Sequence, residues 1–195
     1  MTTKIDIRRL RDVNELAKAG AETVAQHLNQ LTGVETQMQI TKINVIDVED
    51  LGRHLGQTKM VGVNVPLEEA PHGSVLILFD DDSAKTLAHT MVGSESSTEP
   101  GYSEMERSAI REVGNIMTSG FIDGWANVLG RTIDISTPQL LRAGGDDIVD
   151  HCVDPGEHEI AMVFDSTLEA PDVDVEATIY SFPDIEAFVD LINSM

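Results

Sequence analysis

Residues 103–129, SEMERSAIREVGNIMTSGFIDGWANVL, contain the signals of a long helix. Ser103 followed three residues later by Glu106 is the pattern of a capping box, which begins a helix. Gly130, directly after the segment, is a typical stop signal. At about 100° per residue, most apolar side chains gather on one side of the predicted helix, which we interpret as its buried face. The members of this face are Ala109, Val113, Ile116, Met117, Gly120, Phe121, Gly124 and Val128.

A polar stripe adjoins that face. Ser108, Glu112, Asn115 and Ser119 follow one another at spacings of three and four residues, so their side chains share one line along the helix. On spacing alone, such residues are usually solvated and have no further role. The question is why a core-forming helix carries a carboxylate and an amide one turn apart on its open side.

Three glycines, Gly114, Gly120 and Gly124, lie inside the same helix. Each costs about 1 kcal/mol relative to alanine, which a helix tolerates where another element approaches closely. The approaching element is either a second helix of this chain or a partner. Trp125 and Ile122 lie off the apolar face, and Ile122 is either a contact for a docked partner or a contact with another long helix.

The chain shows an imperfect internal duplication. The first half, residues 8–92, begins with helical periodicity at 8–32 and ends with an apolar strand, an Asp-rich cap and a helix. The second half, residues 103–195, repeats that order and ends with strand, cap and helix at 175–195. We predict a single α+β domain spanning 1–195, in which two pseudo-two-fold halves share one antiparallel sheet that is covered by helices.

Glycine and proline clusters mark the connections. PLEEAPHG (66–73) and EAPD (169–172) are typical of hairpin turns, and GSESSTEPG (93–101) is typical of a linker between the halves. The segment DDIVDHCVDPGEH (146–158) reads as a polar turn between strands.

The composition restricts the class of function. The 34 Asp and Glu residues outnumber the 13 Lys and Arg residues, which gives a net charge of −21 that repels nucleic acid and anionic membranes. The acidic residues are dispersed, which favours a halophile-type surface over an acidic docking face. The single cysteine, Cys152, excludes a disulfide scaffold, and no apolar run approaches the ~20 residues that cross a bilayer. Without a recognisable signal peptide, we expect a cytoplasmic protein.

The stripe resembles a known signature. Ser108, Glu112 and Asn115, followed by residues 116–137 and then Pro138, match the pattern of the CheC/CheX/FliY family of chemotaxis phosphatases. That pattern is Asp or Ser, three residues, Glu, two residues, Asn, a gap of 22 residues and Pro, and the gap here is 22 (137 − 115). The half-chain duplication also resembles this family, most closely CheC, and the resemblance spans essentially the whole chain.

The resemblance implies an enzyme that hydrolyses the aspartyl phosphate of the response regulator CheY-P. By resemblance, Asn115 enters the regulator's active site and orients the attacking water, and Glu112 pairs with the regulator's lysine. Ser108 and Pro138 support the motif without chemistry. No cofactor or metal of its own is implied, because the Mg²⁺ belongs to the regulator.

The first half departs from this pattern. With Gly33 aligned to Gly130, an offset of 97 (130 − 33), Glu15 corresponds to Glu112, but Lys18 stands where Asn115 does. Arg11 replaces Ser108 and Thr41 replaces Pro138. A charged lysine cannot accept a hydrogen bond from water, so we predict one working site, in the second half.

Two other classes of function compete. The alternative is a non-catalytic or weakly catalytic adaptor that binds CheY-P and the receptor deamidase CheD. A metal-dependent enzyme is the third class, but the spacing of its candidate ligands matches no compact zinc site. Those candidates are Asp147, Asp150, His151, Cys152, Asp154 and His158.

Overall fold

The structure is a computed structural model that describes residues 10–33, 35–92, 101–153, 160–170 and 173–194. In both halves the elements follow the order helix, strand, helix, strand, strand, helix. The first half contains α1 (Leu10–Thr32), β1 (Gln37–Asp47), α2 (Val48–Leu55), β2 (Lys59–Pro66), β3 (Ser74–Asp80) and α3 (Asp81–Val92). The second half contains α4 (Glu104–Leu129), β4 (Gln139–Gly144), α5 (Gly145–Cys152), β5 (Ile160–Ala170), β6 (Val173–Phe182) and α6 (Ile185–Ser194).

The strands form one sheet in the order β1-β5-β6-β3-β2-β4, and all five strand pairs are antiparallel. If the halves are exchanged, so that β1, β2 and β3 take the places of β4, β5 and β6, the order reads the same from the opposite edge. The centre of the sheet is the β3–β6 pair, with Ile77 opposite Ile179. The predicted α+β class, with duplicated halves sharing an antiparallel sheet, is confirmed.

Both faces of the sheet are buried under helices. Along β3, Val75, Ile77 and Phe79 join the larger core, which also contains residues of α1, α3, α4 and α6. Leu76 and Leu78 alternate with them and join a smaller core under α2 and α5. This alternation follows from the two-residue period of a strand. In the described part of the chain, no helix is both long enough and apolar enough to cross a membrane.

The interpretation of residues 146–158 as a polar turn is wrong over its first part. Residues 145–152 form α5, and residues 154–159 lie outside the described residues. Ile148 and Val149 are buried, whereas Asp147 and Asp150 are exposed. We infer that the short helix is stabilised by packing of Ile148 and Val149 against the sheet. The acidic composition of the segment gives no sign of this tertiary contact.

The chain between α4 and β4 is irregular. Between Gly130 and Pro138 it makes one isolated bridge, Leu67 with Ile135, and β4 begins only at Gln139. Pro138 has no amide hydrogen to contribute to a ladder, which fits a strand that begins directly after it. The predicted hairpin turn at 66–73 is confirmed, since Pro66 pairs with Ser74.

Two predicted connections lie largely beyond the described residues. Of the linker at 93–101, only Gly101 is described. In the predicted turn at 169–172, residues 171 and 172 are outside the described ranges, but Ala170 is paired with Val173 across the β5–β6 hairpin.

Candidate functional site

The helix that carries the polar stripe, α4, begins and ends as its sequence predicts. Ser103 is the N-cap, and its hydroxyl accepts a hydrogen bond from the amide of Glu106 at 3.2 Å. In return, the Ser103 amide donates to Oε2 of Glu106 at 2.6 Å, which completes the capping box. At the other end, Gly130 adopts a left-handed conformation with φ of 64°, which ends the helix without strain.

Ser103→Ala is expected to lower the free energy of unfolding by about 1 kcal/mol, because it removes the side-chain acceptor at the start of α4. Denaturant unfolding at fixed salt measures the change. Ser103→Asn keeps a capping oxygen and is the matched control, with stability close to that of the natural protein. Equal losses in both variants would contradict a capping role.

The glycines of α4 are explained by two elements of the same chain. A Cβ at Gly114 would lie 2.4 Å from Cβ of Val63 in β2, so this turn of the helix rests directly on the sheet. A Cβ at Gly120 would lie 2.7 Å from Cα of Val24 in α1, and one at Gly124 would lie 2.5 Å from the backbone of Ala19. Successive turns of α4 thus meet earlier turns of α1, and the two long helices pack antiparallel in close contact.

Because α4 contacts both the sheet and α1, its buried face is wider than one apolar stripe. Ile122 and Trp125, placed off that stripe by the sequence, are each only 1% exposed, and Trp125 packs against three phenylalanine rings. The suggestion that Ile122 contacts a docked partner is therefore wrong. Conversely, the apolar pattern places Ala109, Ile116 and Val128 on the buried face, but the structure leaves them half-buried.

The polar stripe borders an open depression between α4 and α1, with a volume of about 440 Å³. Glu112 is exposed and Asn115 is half-buried, so the carboxylate stands free while the amide lies deeper. The structure thus brings the two predicted catalytic residues together on one surface. The residues that line the depression are Glu112, Asn115, Ile116 and Ser119 from α4, and His27 and Gln30 from α1.

Ser108 and Pro138, the predicted supporting residues, do not line this depression. Ser108 is exposed one turn before Glu112 on α4. Pro138 is half-buried immediately before β4. The supporting roles of these two residues therefore stay predictions.

The corresponding residues of the first half lie on α1. Glu15 and Lys18 are both exposed, and Nζ of Lys18 is 3.7 Å from Oε1 of Glu22. Lys18 borders a different groove of about 610 Å³, between α1 and β1, which Thr41 also lines. Asn115 contributes a neutral amide to the lining of its depression, whereas Lys18 contributes a positively charged side chain to the lining of this groove.

Near the start of α4, a group of charged and polar side chains joins the two halves. Asp81 of α3 is 2.7 Å from Nζ of Lys85 and 2.9 Å from Nη2 of Arg142 in β4, and it accepts a hydrogen bond from the hydroxyl of Tyr102. Burial tends to raise the pKa of Asp81, but the hydrogen bonds from Lys85, Arg142 and Tyr102 outweigh it and lower that pKa. The carboxylate therefore stays ionised and ties α3 to β4 and to the segment that precedes α4.

The candidate metal ligands do not form a site in the described ranges, where no group of three or more His, Cys, Asp or Glu side chains could hold a metal ion. Asp147, Asp150, His151 and Cys152 lie on α5, and residues 154 and 158 lie outside the description. Burial raises the pKa of the Cys152 thiol to about 12, so the thiolate needed for nucleophilic attack or metal binding is scarce near neutral pH.

The residues that the sequence did not single out are His27 and Gln30. Both belong to the first half, on α1. Their place beside Glu112 and Asn115 depends on the antiparallel packing of α1 against α4. No local pattern in the sequence encodes that juxtaposition.

Comparison with known proteins gives consistent results for family and fold. A model of the CheC-like family matches residues 105–142, which contain the whole spacing from Ser108 to Pro138. A Halobacterium salinarum protein, provisionally named CheY-P phosphatase CheC1, is 76% identical over 195 residues, covering 100% of both chains. Thermotoga maritima FliY has a similar fold, with a TM-score of 0.79, 17% identity and 98% of each chain covered. The Borrelia burgdorferi complex of CheX, CheY, BeF3 and Mg²⁺ contains a chain with a TM-score of 0.53 and 19% identity, covering 85% of this chain and 96% of that one.

Proposed function

This chain belongs to the CheC-like family, and on that premise we propose that it is a chemotaxis phosphatase that hydrolyses the aspartyl phosphate of the response regulator CheY-P. The observation that carries the proposal is the placement of Glu112 and Asn115 together at an open depression on α4. The relative with 76% identity, which bears the name of a CheY-P phosphatase, supports the same substrate.

The reaction is attack of water on phosphorus, with cleavage of the bond between phosphorus and the regulator's aspartyl oxygen. Inorganic phosphate leaves, and the aspartate carboxylate is restored. The Asn115 amide is suited to hold the water, because it both donates and accepts hydrogen bonds and does not itself compete as a nucleophile. Phosphoryl transfer depends mainly on such positioning and on charge stabilisation. In this proposal the Mg²⁺ is bound by the regulator.

Glu112 supplies recognition. Its exposed carboxylate is suited to pair with the lysine of the regulator's active site through a charge-assisted hydrogen bond. Because Glu112 and Asn115 are three residues apart on one helix, the ion pair between Glu112 and the lysine would fix the position of the Asn115 amide relative to the phosphate. The close packing of α4 against β2 and α1 keeps this pair of side chains on a rigid support.

We further propose that the second half holds the single active site. Lys18 carries a positive charge where the catalytic amide would be needed, and it would repel the regulator's lysine. Its ammonium has no acceptor for a hydrogen bond from water. The proposal also places the protein in the cytoplasm, as the sequence predicts.

Glu112→Gln is expected to raise the CheY-P concentration needed for half-maximal phosphate release by roughly tenfold, since a hydrogen bond to a charged group contributes about 1.5–3 kcal/mol. Phosphate release measured over a range of CheY-P concentrations gives this value. Glu15→Gln makes the same change at the corresponding exposed position of α1 and should leave the curve unchanged. A half-maximal concentration that is the same for both variants would contradict the recognition role.

The proposed activity is tested by the lifetime of phosphorylated CheY from the same organism, with and without the protein, alongside a binding measurement. A shortened lifetime supports the phosphatase. Binding of CheY-P without any change in its lifetime would overturn it in favour of the adaptor alternative, in which Glu112 and Asn115 only recognise the regulator and CheD is a second partner.

A further inference from the structure

The depression beside Asn115 is built from both halves of the chain. Four of its lining residues come from α4 in the second half, and the other two, His27 and Gln30, come from α1 in the first half. We propose that His27 and Gln30 form a docking wall that contacts the bound regulator and seats it against Glu112 and Asn115. This proposal rests on the proposed function and assigns α1 a role in the intact site.

The wall is held in place by the packing of the two long helices. Gly120 of α4 lies against Val24 of α1, and His27 follows Val24 by three residues, about one helical turn. Gln30 follows His27 by another turn, so both side chains fall on one side of α1. Nε2 of His27 is 3.9 Å from Oδ2 of Asp123 in α4, so the imidazole lies at the rim beside α4.

The wall also has suitable chemistry for a protein surface. The His27 side chain is 31% exposed, and Gln30 is exposed and can donate and accept hydrogen bonds. A regulator that covers Glu112 and Asn115 would meet these groups within the same depression. The Debye length falls to about 3 Å at 1 M salt, so recognition in high salt depends on such short-range contacts.

The corresponding position of the first half has only part of an equivalent wall. At the offset of 97, His27 corresponds to Gly124 and Gln30 to Asn127 (27 + 97 and 30 + 97). Gly124 has no side chain, and a Cβ there would meet the backbone of Ala19 at 2.5 Å. The half without the catalytic amide therefore also lacks the imidazole, although the exposed Asn127 keeps an amide at the position that corresponds to Gln30.

The test is binding of beryllofluoride-activated CheY with Mg²⁺ to the full chain. The double variant His27→Ala/Gln30→Ala is expected to raise the Kd at least roughly fivefold. In turnover assays, the half-saturating CheY-P concentration should rise by a similar factor, with the maximal rate changed less than about twofold. Gln26→Ala is the matched control, because Gln26 is exposed on α1 one turn before Gln30 and does not line the depression.

An unchanged Kd in the double variant would overturn the docking wall, as would a fall in the maximal rate at unchanged Kd. If the double variant unfolds, the single variant Gln30→Ala replaces it in the binding measurement. A smaller rise in Kd is then expected, and an unchanged Kd would overturn the docking wall. The two proposals can fail separately. If the natural protein binds activated CheY and the wall variant binds it more weakly, the docking wall stands. If that natural protein nevertheless does not shorten the lifetime of CheY-P, the proposed function fails. Absence of binding by the natural protein would contradict both.

Discussion

Asn115→Ala is expected to reduce the acceleration of CheY-P decay at least roughly tenfold, equivalent to about 1.4 kcal/mol in the activation barrier. The reason is that the methyl group of alanine can neither donate nor accept the hydrogen bonds that would hold the attacking water. The protein fold should be unaffected, because Asn115 is only half-buried and borders an open depression. Loss of phosphate from CheY-P at saturating concentrations of the variant measures the effect on the chemical step.

Lys18→Ala provides the matched control for this experiment. Lys18 occupies the corresponding position on α1, and its loss should leave the rate of CheY-P decay unchanged because the first half holds no catalytic amide. Retention of full activity by Asn115→Ala would remove the water-positioning role. Equal losses in both variants would instead show two contributing sites and contradict the single-site proposal.

Gly124→Ala is expected to lower the free energy of unfolding by about 1–3 kcal/mol, the usual effect of overpacking a filled interior. Alanine favours a helix over glycine by about 1 kcal/mol, so helix propensity alone predicts the opposite sign. The clash should dominate, because the new Cβ would lie 2.5 Å from backbone atoms of Ala19 and Gly20, which cannot rotate away. Denaturant unfolding at constant salt concentration measures the difference.

Gly52→Ala separates the clash from the propensity effect. Gly52 is inside α2, where a Cβ would find its nearest neighbours, two atoms of Asp146, at an ordinary contact distance of 3.8 Å. That variant should gain up to about 1 kcal/mol. A Gly124→Ala protein as stable as the natural one would mean that α1 and α4 can move apart easily, which would contradict the rigid support proposed for Glu112 and Asn115.

The parts of the fold that depend on local signals could be predicted from the sequence. The capping box at Ser103 and the stop at Gly130 set the bounds of α4 because each acts within one turn of the helix end. The eight-residue helix α5 was not predicted, because its acidic residues look like a turn and its helical form depends on burying Ile148 and Val149 against the sheet. Such tertiary stabilisation has no local signature.

The same division applies to the candidate site. Helical spacing is enough to put Glu112 and Asn115 on one stripe, whereas His27 joins them only through the pairing of two distant helices. Ile122 was misplaced for a related reason. A single apolar stripe describes a helix with one neighbour, but α4 is buried against both α1 and the sheet, so residues off the stripe are also covered.

The large negative charge affects how these experiments are done. The net charge of −21 is dispersed along the chain, as expected for a halophile-type surface, and the relative with 76% identity comes from Halobacterium salinarum. Carboxylates that repel one another at low salt destabilise the compact state, and this repulsion weakens as salt screens the charges. Stability and activity should therefore be compared at one fixed, high salt concentration.

The proposed phosphatase activity is tested by counting the phosphate released from CheY-P by substoichiometric amounts of this protein in high salt. We predict that each chain releases many phosphates beyond the spontaneous decay of CheY-P, and that Asn115→Ala reduces this excess at least roughly tenfold. Release at the spontaneous rate, with CheY-P bound but its lifetime unchanged, would rule out catalysis and identify the stripe as a recognition surface.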